Sequence, residues 1–188
     1  MDAEEAARQL AIIHQVVDQS RQERTQSGDI YIVWGVLVCI CIAGTLVGDA
    51  LEQPGWMAWP LLMPIGAVYA SYVGRKREAQ VGTYMNRVES RLWISAGFVL
   101  FGVVGGGMAS GALSLNAVIP IVSGVIGIAM VTSGALYKSG LMTWPGWMFI
   151  ILAMVCFLFP WQMQYAAFGL ATIAGYIIPG ILMIRQSK

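Results

Sequence analysis

The sequence predicts an all-α polytopic membrane protein: six transmembrane helices preceded by a cytoplasmic amphipathic helix. Three observations predict this class. Only 11% of the residues are charged, against about 25% in an average soluble domain. Six apolar stretches are long enough to cross a bilayer, and all Lys and Arg residues fall on one side of the resulting topology. We therefore divide the chain into an amphipathic helix at 1–28 and a six-helix transmembrane bundle at 29–188.

The N-terminal helix begins with an acidic first turn, which favours a helix N-terminus through the helix dipole. Its apolar stripe has spacings of three and four residues and includes Leu10, Ile13 and Val17. Residues 1–27 hold three basic and five acidic side chains, a balance of 3 − 5 = −2, whereas helices on a membrane surface normally have a basic polar face. We expect residues 5–24 to dock on protein: the bundle's own loops, a second copy, or a cytoplasmic partner.

A spanning helix needs about 20 mostly apolar residues to cross the hydrocarbon. The stretches that meet this requirement lie near residues 30–48, 56–73, 92–110, 113–136, 142–160 and 164–184. The connections between them are short, so helices that are neighbours in sequence should pack as antiparallel neighbours in space.

The basic residues predict the orientation of the bundle. All eleven lie in the N-terminal segment, in the second and fourth inter-span loops, or after the last span: Arg8, Arg21, Arg24, Arg75, Lys76, Arg77, Arg87, Arg91, Lys138, Arg185 and Lys188. The three opposite loops contain none, so the positive-inside rule places both termini in the cytoplasm. The cluster Arg75, Lys76 and Arg77 either determines this topology alone or also contacts anionic lipid.

Small residues at intervals of four predict close helix packing, because they let helix backbones approach one another. The predicted packing glycines are Gly44, Gly48, Gly102, Gly106 and Gly175. The stretch "GVVGGGMASG" at 102–111 has three interpretations: a tight helix crossing, a frayed helix end, or an unwound segment that lines a cavity.

The tetrapeptide Pro-Gly-Trp-Met occurs twice, at 54–57 and at 145–148. Three origins are open. The first is independent acquisition, by two helices, of a first-turn proline and an interfacial tryptophan. The second is triplication of a hairpin, and the third is an inverted repeat within the bundle. A binding site is disfavoured, because the predicted topology puts the copies on opposite membrane faces.

The chain lacks the residues that membrane chemistry usually needs. None of the predicted spans contains an ionisable residue at mid-depth, and the only histidine is His14 in the N-terminal helix. Cys39, Cys41 and Cys156 are expected to pack as free thiols, with metal binding as the alternative. We therefore expect no catalytic, cofactor-binding or metal-ligating residues.

Two stretches carry a resemblance to known families: "SGDIYIVWG" at the start of the first span and "RLWISAGFVLFGVVGGG" in the third. With the preceding amphipathic helix, the first resembles uncharacterised bacterial six-span membrane proteins in which a Trp-Gly motif follows an N-terminal helix. The second, with the three-hairpin layout, is similar to the HdeD-type acid-resistance membrane proteins, although the long N-terminal helix departs from their pattern. The resemblance implies a bacterial inner (cytoplasmic) membrane location and no catalytic residue.

These features predict a non-enzymatic accessory, scaffold or regulatory subunit of a membrane complex that acts through helix packing. The alternative is a small transporter or channel for a neutral or lipophilic solute, and a membrane enzyme ranks third. The expected partners are membrane lipids, other membrane subunits or a second copy, and no nucleic acid. A central cavity lined by Tyr69, Ser123 and Tyr176 would favour transport, and a dry core with an exposed apolar face would favour the subunit.

Overall fold

The computed structural model of the chain describes residue 5 and residues 28–78 and 84–186, and every regular element among them is helical. The long helices of this part of the chain are α1 (Gly28–Ala50), α2 (Ala58–Glu78), α3 (Tyr84–Ala109), α4 (Leu115–Leu136), α5 (Gly140–Leu158) and α6 (Trp161–Arg185). The predicted N-terminal helix lies outside the described residues, apart from residue 5 and its last residue, Gly28.

Some helices change geometry along their length. A 3₁₀ turn, Gly55–Met57, leads into α2, and another, Cys156–Leu158, ends α5. A π-helical turn, Phe101–Gly105, interrupts α3, and another, Ile173–Ile177, interrupts α6. The turn in α6 comes just before Pro179, which has no N–H to donate and whose ring crowds the preceding helical turn.

Among the described residues, α1, α3, α4, α5 and α6 are long and apolar enough to cross a membrane. The described part of the chain is therefore all-helical with five candidate spans, and the predicted sixth span, α2, is not among them. Helix α2 has 21 residues, but tryptophan, proline and tyrosine lower its hydropathy and it ends in Arg75–Glu78.

Helices α1 and α2 form an antiparallel pair, and two hydrogen bonds fix their register. Near one end of the pair, the Tyr69 hydroxyl donates to Oδ2 of Asp29 over 3.3 Å. Toward the other end, Nε1 of Trp59 donates to the Thr45 hydroxyl over 2.9 Å. Residues early in α1 therefore pair with residues late in α2, as the short connection predicts.

The contacts of α1 with α6, of α4 with α5 and of α5 with α6 also join antiparallel helices. Gly28 at the start of α1 lies against Gly180 near the end of α6, and Gly134 near the end of α4 lies against Thr143 near the start of α5. The ring of Phe149 in α5 packs on that of Phe168 in α6, with centroids 5.6 Å apart. The most buried side chains come from α1, α4, α5 and α6, which form the core.

This antiparallel order brings the charged residues of the bundle to its two ends. The described Lys and Arg side chains all lie toward the end formed by the start of α1, and all are exposed: Arg75, Lys76, Arg87, Arg91, Lys138 and Arg185. We call this the basic end. The opposite end carries two exposed carboxylates, those of Asp49 and Glu52.

Candidate functional site

Gly44 and Gly48 lie where α1 meets the turn before α2. A Cβ atom on Gly48 would lie 2.5 Å from the Gly55 nitrogen, and one on Gly44 would lie 3.4 Å from Cβ of Ala58. At Gly48 the two backbones are therefore too close for any side chain. Real Cβ atoms do not come that near to a backbone nitrogen, so a larger residue would separate α1 from α2.

Gly175 lies in the π-helical turn of α6 and faces the core. A Cβ atom there would lie 2.8 Å from Cε2 of Phe149 and 3.2 Å from Cβ of Pro145. The absent side chain therefore makes room for the phenylalanine ring, which also packs against Tyr176 with centroids 5.9 Å apart.

The repeated Pro-Gly-Trp-Met stretches have different local structures but share one contact. The first forms the 3₁₀ turn before α2, and the second lies inside α5. In both, the glycine meets a carbonyl of the preceding helix: Gly55 lies against the Gly44 carbonyl, and a Cβ on Gly146 would lie 2.9 Å from the Gly127 oxygen. Close helix approach is thus a physical feature common to both copies.

Gly102 and Gly106 lie in a different environment from the other predicted packing glycines. No heavy atom lies within 4 Å of a Cβ built on either residue, or on Gly97 or Gly105, once the glycine's chain neighbours and its own helix backbone are set aside. Their surroundings in α3 are apolar and open, and Phe98 is 75% exposed. Gly102, Gly105 and Gly106 are exposed, and we call the surface that contains these three glycines the α3 glycine face.

Helix α3 lies at the periphery of the bundle. None of the residues in its most apolar stretch is buried, whereas 28% to 39% of the corresponding stretch is buried in the other four candidate spans. One contact with α4 is a 2.8 Å hydrogen bond from the Tyr137 hydroxyl to Oδ1 of Asn86, near the basic end. Among the described residues, helix α3 therefore leaves most of its circumference uncovered.

The glycine-rich stretch is helical from Phe101 to Ala109. The helix then ends in a turn in which Gly111 has φ +73°, a left-handed conformation that glycine adopts at helix C-termini without steric cost. The helix therefore ends here, and neither Gly102 nor Gly106 lies in a crossing with another described helix.

Arg75 and Lys76 lie at the mouth of a groove along α2. The groove has a volume of about 640 Å³, and its lining residues are Ala67, Val68, Ser71, Tyr72, Arg75 and Lys76. Both cationic side chains are exposed, and the side chain of Arg77 lies outside the described residues.

The three polar residues that would line a transport cavity occupy separate environments. Tyr69 donates to Asp29. The ring of Tyr176 packs against Tyr31, with centroids 5.5 Å apart. Ser123 is fully buried in α4, and its hydroxyl has no hydrogen-bond partner among the described residues.

The structure also contains polar contacts that sequence reasoning missed. Tyr137 and Asn86 are 51 residues apart and Trp59 and Thr45 are 14 apart, so only the pairing of helices brings them together. Glu89, near the start of α3, is buried, at 8% exposure. It lies one turn after Asn86 on the side of α3 that meets α4.

The described residues contain no group of three or more His, Cys, Asp or Glu side chains that could hold a metal ion. Cys39, Cys41 and Cys156 are free thiols. The predicted docking residues of the N-terminal helix lie outside the described part of the chain: Leu10, Ile13 and Val17.

No protein-family model, curated protein or solved structure matches this chain. A functional conclusion therefore depends on the surfaces described above.

Proposed function

We propose that the chain is a non-enzymatic integral membrane protein that serves as an accessory, scaffold or regulatory subunit of a membrane complex. The supporting observation is the α3 glycine face, which has no neighbour in the described chain. Glycine within a helix costs about 1 kcal/mol relative to alanine. Small residues compensate for this cost when they let another helix approach closely in the bilayer.

The proposed topology has six spans, with α2 as the sixth, in the inner membrane of a bacterium. The basic end faces the cytoplasm, because Lys and Arg accumulate there. The N-terminal helix lies on the same side and offers a second docking surface through Leu10, Ile13 and Val17. The pairing of α2 with α1 along its length supports the sixth span.

The test compares the leucine variants Gly102→Leu and Gly106→Leu with Ala166→Leu. The control also puts leucine at an exposed small residue of a candidate span, in α6. Each protein is purified in mild detergent, its assembly size is measured, and its co-purifying subunits are identified. We expect the glycine variants to lose the assembly and keep the thermal stability of the separated chain, because no atom of the described residues occupies that space.

Wild-type assembly size in both glycine variants would contradict the proposal. A large loss of thermal stability in the separated chain would also contradict it, since the face would then pack within the bundle. The control should behave as wild type in both measurements.

A second candidate function is a small transporter or channel for a neutral or lipophilic solute. Three buried polar atoms favour it, because they have no hydrogen-bond partner among the described residues: Oγ of Ser123, Oγ of Ser133 and Oε1 of Gln164. Buried polar groups in proteins are normally paired. The test measures solute flux into proteoliposomes that contain the wild type or a variant. A flux that is lower than wild type in Ser123→Ala and equal to wild type in Gly102→Leu would support transport over the subunit function.

A further inference from the structure

The groove along α2 is built from two rows of residues four apart. One row is Ala67, Ser71 and Arg75, and the other is Val68, Tyr72 and Lys76. Residues four apart lie above one another on a helix face, so both rows run toward the basic end and finish in a cation. The small side chains of the first row leave a depression, and Val68 and Tyr72, 70% and 67% exposed, flank it.

The groove is apolar along its length and positive at one end. Nine residues separate Ala67 from Lys76, which corresponds to about 14 Å of helix. If α2 spans the membrane, the two cations lie at headgroup level and the row from Ser71 to Ala67 lies in the hydrocarbon. A ligand that fits must be anionic at one end and apolar along the remaining part of the groove, which is about 8 Å of helix from Tyr72 to Ala67.

We propose that this groove binds one anionic membrane phospholipid. The phosphate lies between Arg75 and Lys76, where the guanidinium offers paired donors to phosphate oxygens and the ammonium adds a second charge. Tyr72 lies beside the headgroup, as tyrosines commonly do at the interface, and an acyl chain follows Ala67 and Val68. The inference rests on the proposed assignment of α2 as a span.

The chain's own N-terminal segment is the competing occupant, since its first turn is acidic. It fits less well. Only one face of its predicted helix is apolar, and the opposite face carries Gln, Arg and Asp side chains that would have to enter the hydrocarbon beside Ala67. A phospholipid has its charge at the level of the cations and nothing polar below it.

The experiment reconstitutes the full chain in phosphatidylcholine vesicles with a trace of photoactivatable phosphatidylglycerol, and maps the crosslinked residues. Unlabelled phosphatidylglycerol is titrated as competitor, and an equal amount of additional phosphatidylcholine is titrated in a parallel series. The variants are Arg75→Gln with Lys76→Gln, which removes the cations, and Ala67→Leu with Ser71→Leu, which fills the groove. The control, Arg87→Gln with Arg91→Gln, removes two exposed charges from α3 at the same end.

We expect wild type and control to crosslink within residues 67–72, with unlabelled phosphatidylglycerol competing better than phosphatidylcholine. The cation variant should bind on the order of 30-fold more weakly, since each basic residue near an anionic surface is worth about a factor of five. The groove variant should lose the crosslink while keeping its cations. Because these vesicles carry the label in both leaflets, the outcome does not depend on orientation or on the proposed subunit function.

Equal competition by the two lipids, or equal loss in the control, would overturn the proposal. Crosslinking that persists in the groove variant would overturn it as well. If the wild type does not crosslink and the variant Asp2→Asn, Glu4→Gln, Glu5→Gln does, the N-terminal segment occupies the groove and the lipid assignment is wrong.

Discussion

At the connection between α1 and α2, two positions require glycine, because a side chain at either would overlap the backbone of the facing segment. Gly48 lies against the Cα and nitrogen of Gly55, and Gly55 lies against the carbonyl of Gly44. The spacing of Gly44 and Gly48 predicted close packing, and the partner glycine belongs to the repeated tetrapeptide. Sequence spacing could not indicate this pair, because the intervening turn decides which atoms meet.

We predict that Gly48→Ala destabilises the folded chain. A methyl group there would overlap the Gly55 backbone, and overpacking of this kind costs about 1–3 kcal/mol. Thermal unfolding in detergent should show a lower midpoint than wild type. Gly97→Ala is the control, since no neighbouring atom lies within 4 Å of its built Cβ, and it should be neutral or stabilising by up to about 1 kcal/mol. Equal midpoints for the two variants would refute the contact.

At the scale of single helices, α3 and α4 differ in whether their small residues contact another described helix. Helix α4 buries glycines against α5, while the α3 glycine face has no neighbour in the described chain. Both helices have small residues at similar intervals. The sequence pattern therefore predicted that a helix would approach, but not whether that helix belongs to the same chain.

We expect the apolar stripe of the predicted N-terminal helix to dock on protein. Changing Leu10→Asp together with Ile13→Asp should abolish its contact with protein, because burying each large aliphatic side chain contributes roughly 1.5–3 kcal/mol. The measurement is the rate at which protease cleaves residues 5–24 in the native complex. We expect slow cleavage in the wild type and fast cleavage in the double variant.

The matched control for this variant is Gln15→Asp with Gln22→Asp, which adds the same charge to the opposite face of the predicted helix. It should keep the slow cleavage of the wild type. Rapid cleavage of the wild type itself would mean that the helix docks nowhere, and the subunit proposal would then rest on the α3 glycine face alone.

At the scale of the whole molecule, the described helices place their basic side chains at one end and Asp49 and Glu52 at the other. Composition alone predicted an all-helical membrane protein, because long uncharged runs are stable in a bilayer only as helices with internally satisfied backbones. The number of spans is harder to predict, since α2 combines a membrane-length helix with interfacial and charged residues.

Thiol labelling tests the orientation and the sixth span together. In a chain with Cys39, Cys41 and Cys156 replaced by serine, single cysteines are introduced by Glu52→Cys and Gln80→Cys. A membrane-impermeant reagent should label the first in intact cells and the second only after permeabilisation, because six spans with the basic end inside put α2 between them. The opposite result would invert the orientation, and labelling of both from outside would mean that α2 does not cross.

The sequence by itself determined the helical class, the membrane environment and the one-sided distribution of charge. These properties follow from local hydrophobicity and from charges that can be counted along the chain. Only the tertiary structure decided that Gly48 and Gly175 pack within the chain, that Gly102 and Gly106 face outward, and that the residues from Ala67 to Lys76 form a groove. The physical reason is that lipid and apolar side chains provide similar surroundings, so hydrophobicity cannot rank alternative helix pairs. Pairing depends instead on the matching shapes of surfaces that are far apart in the sequence.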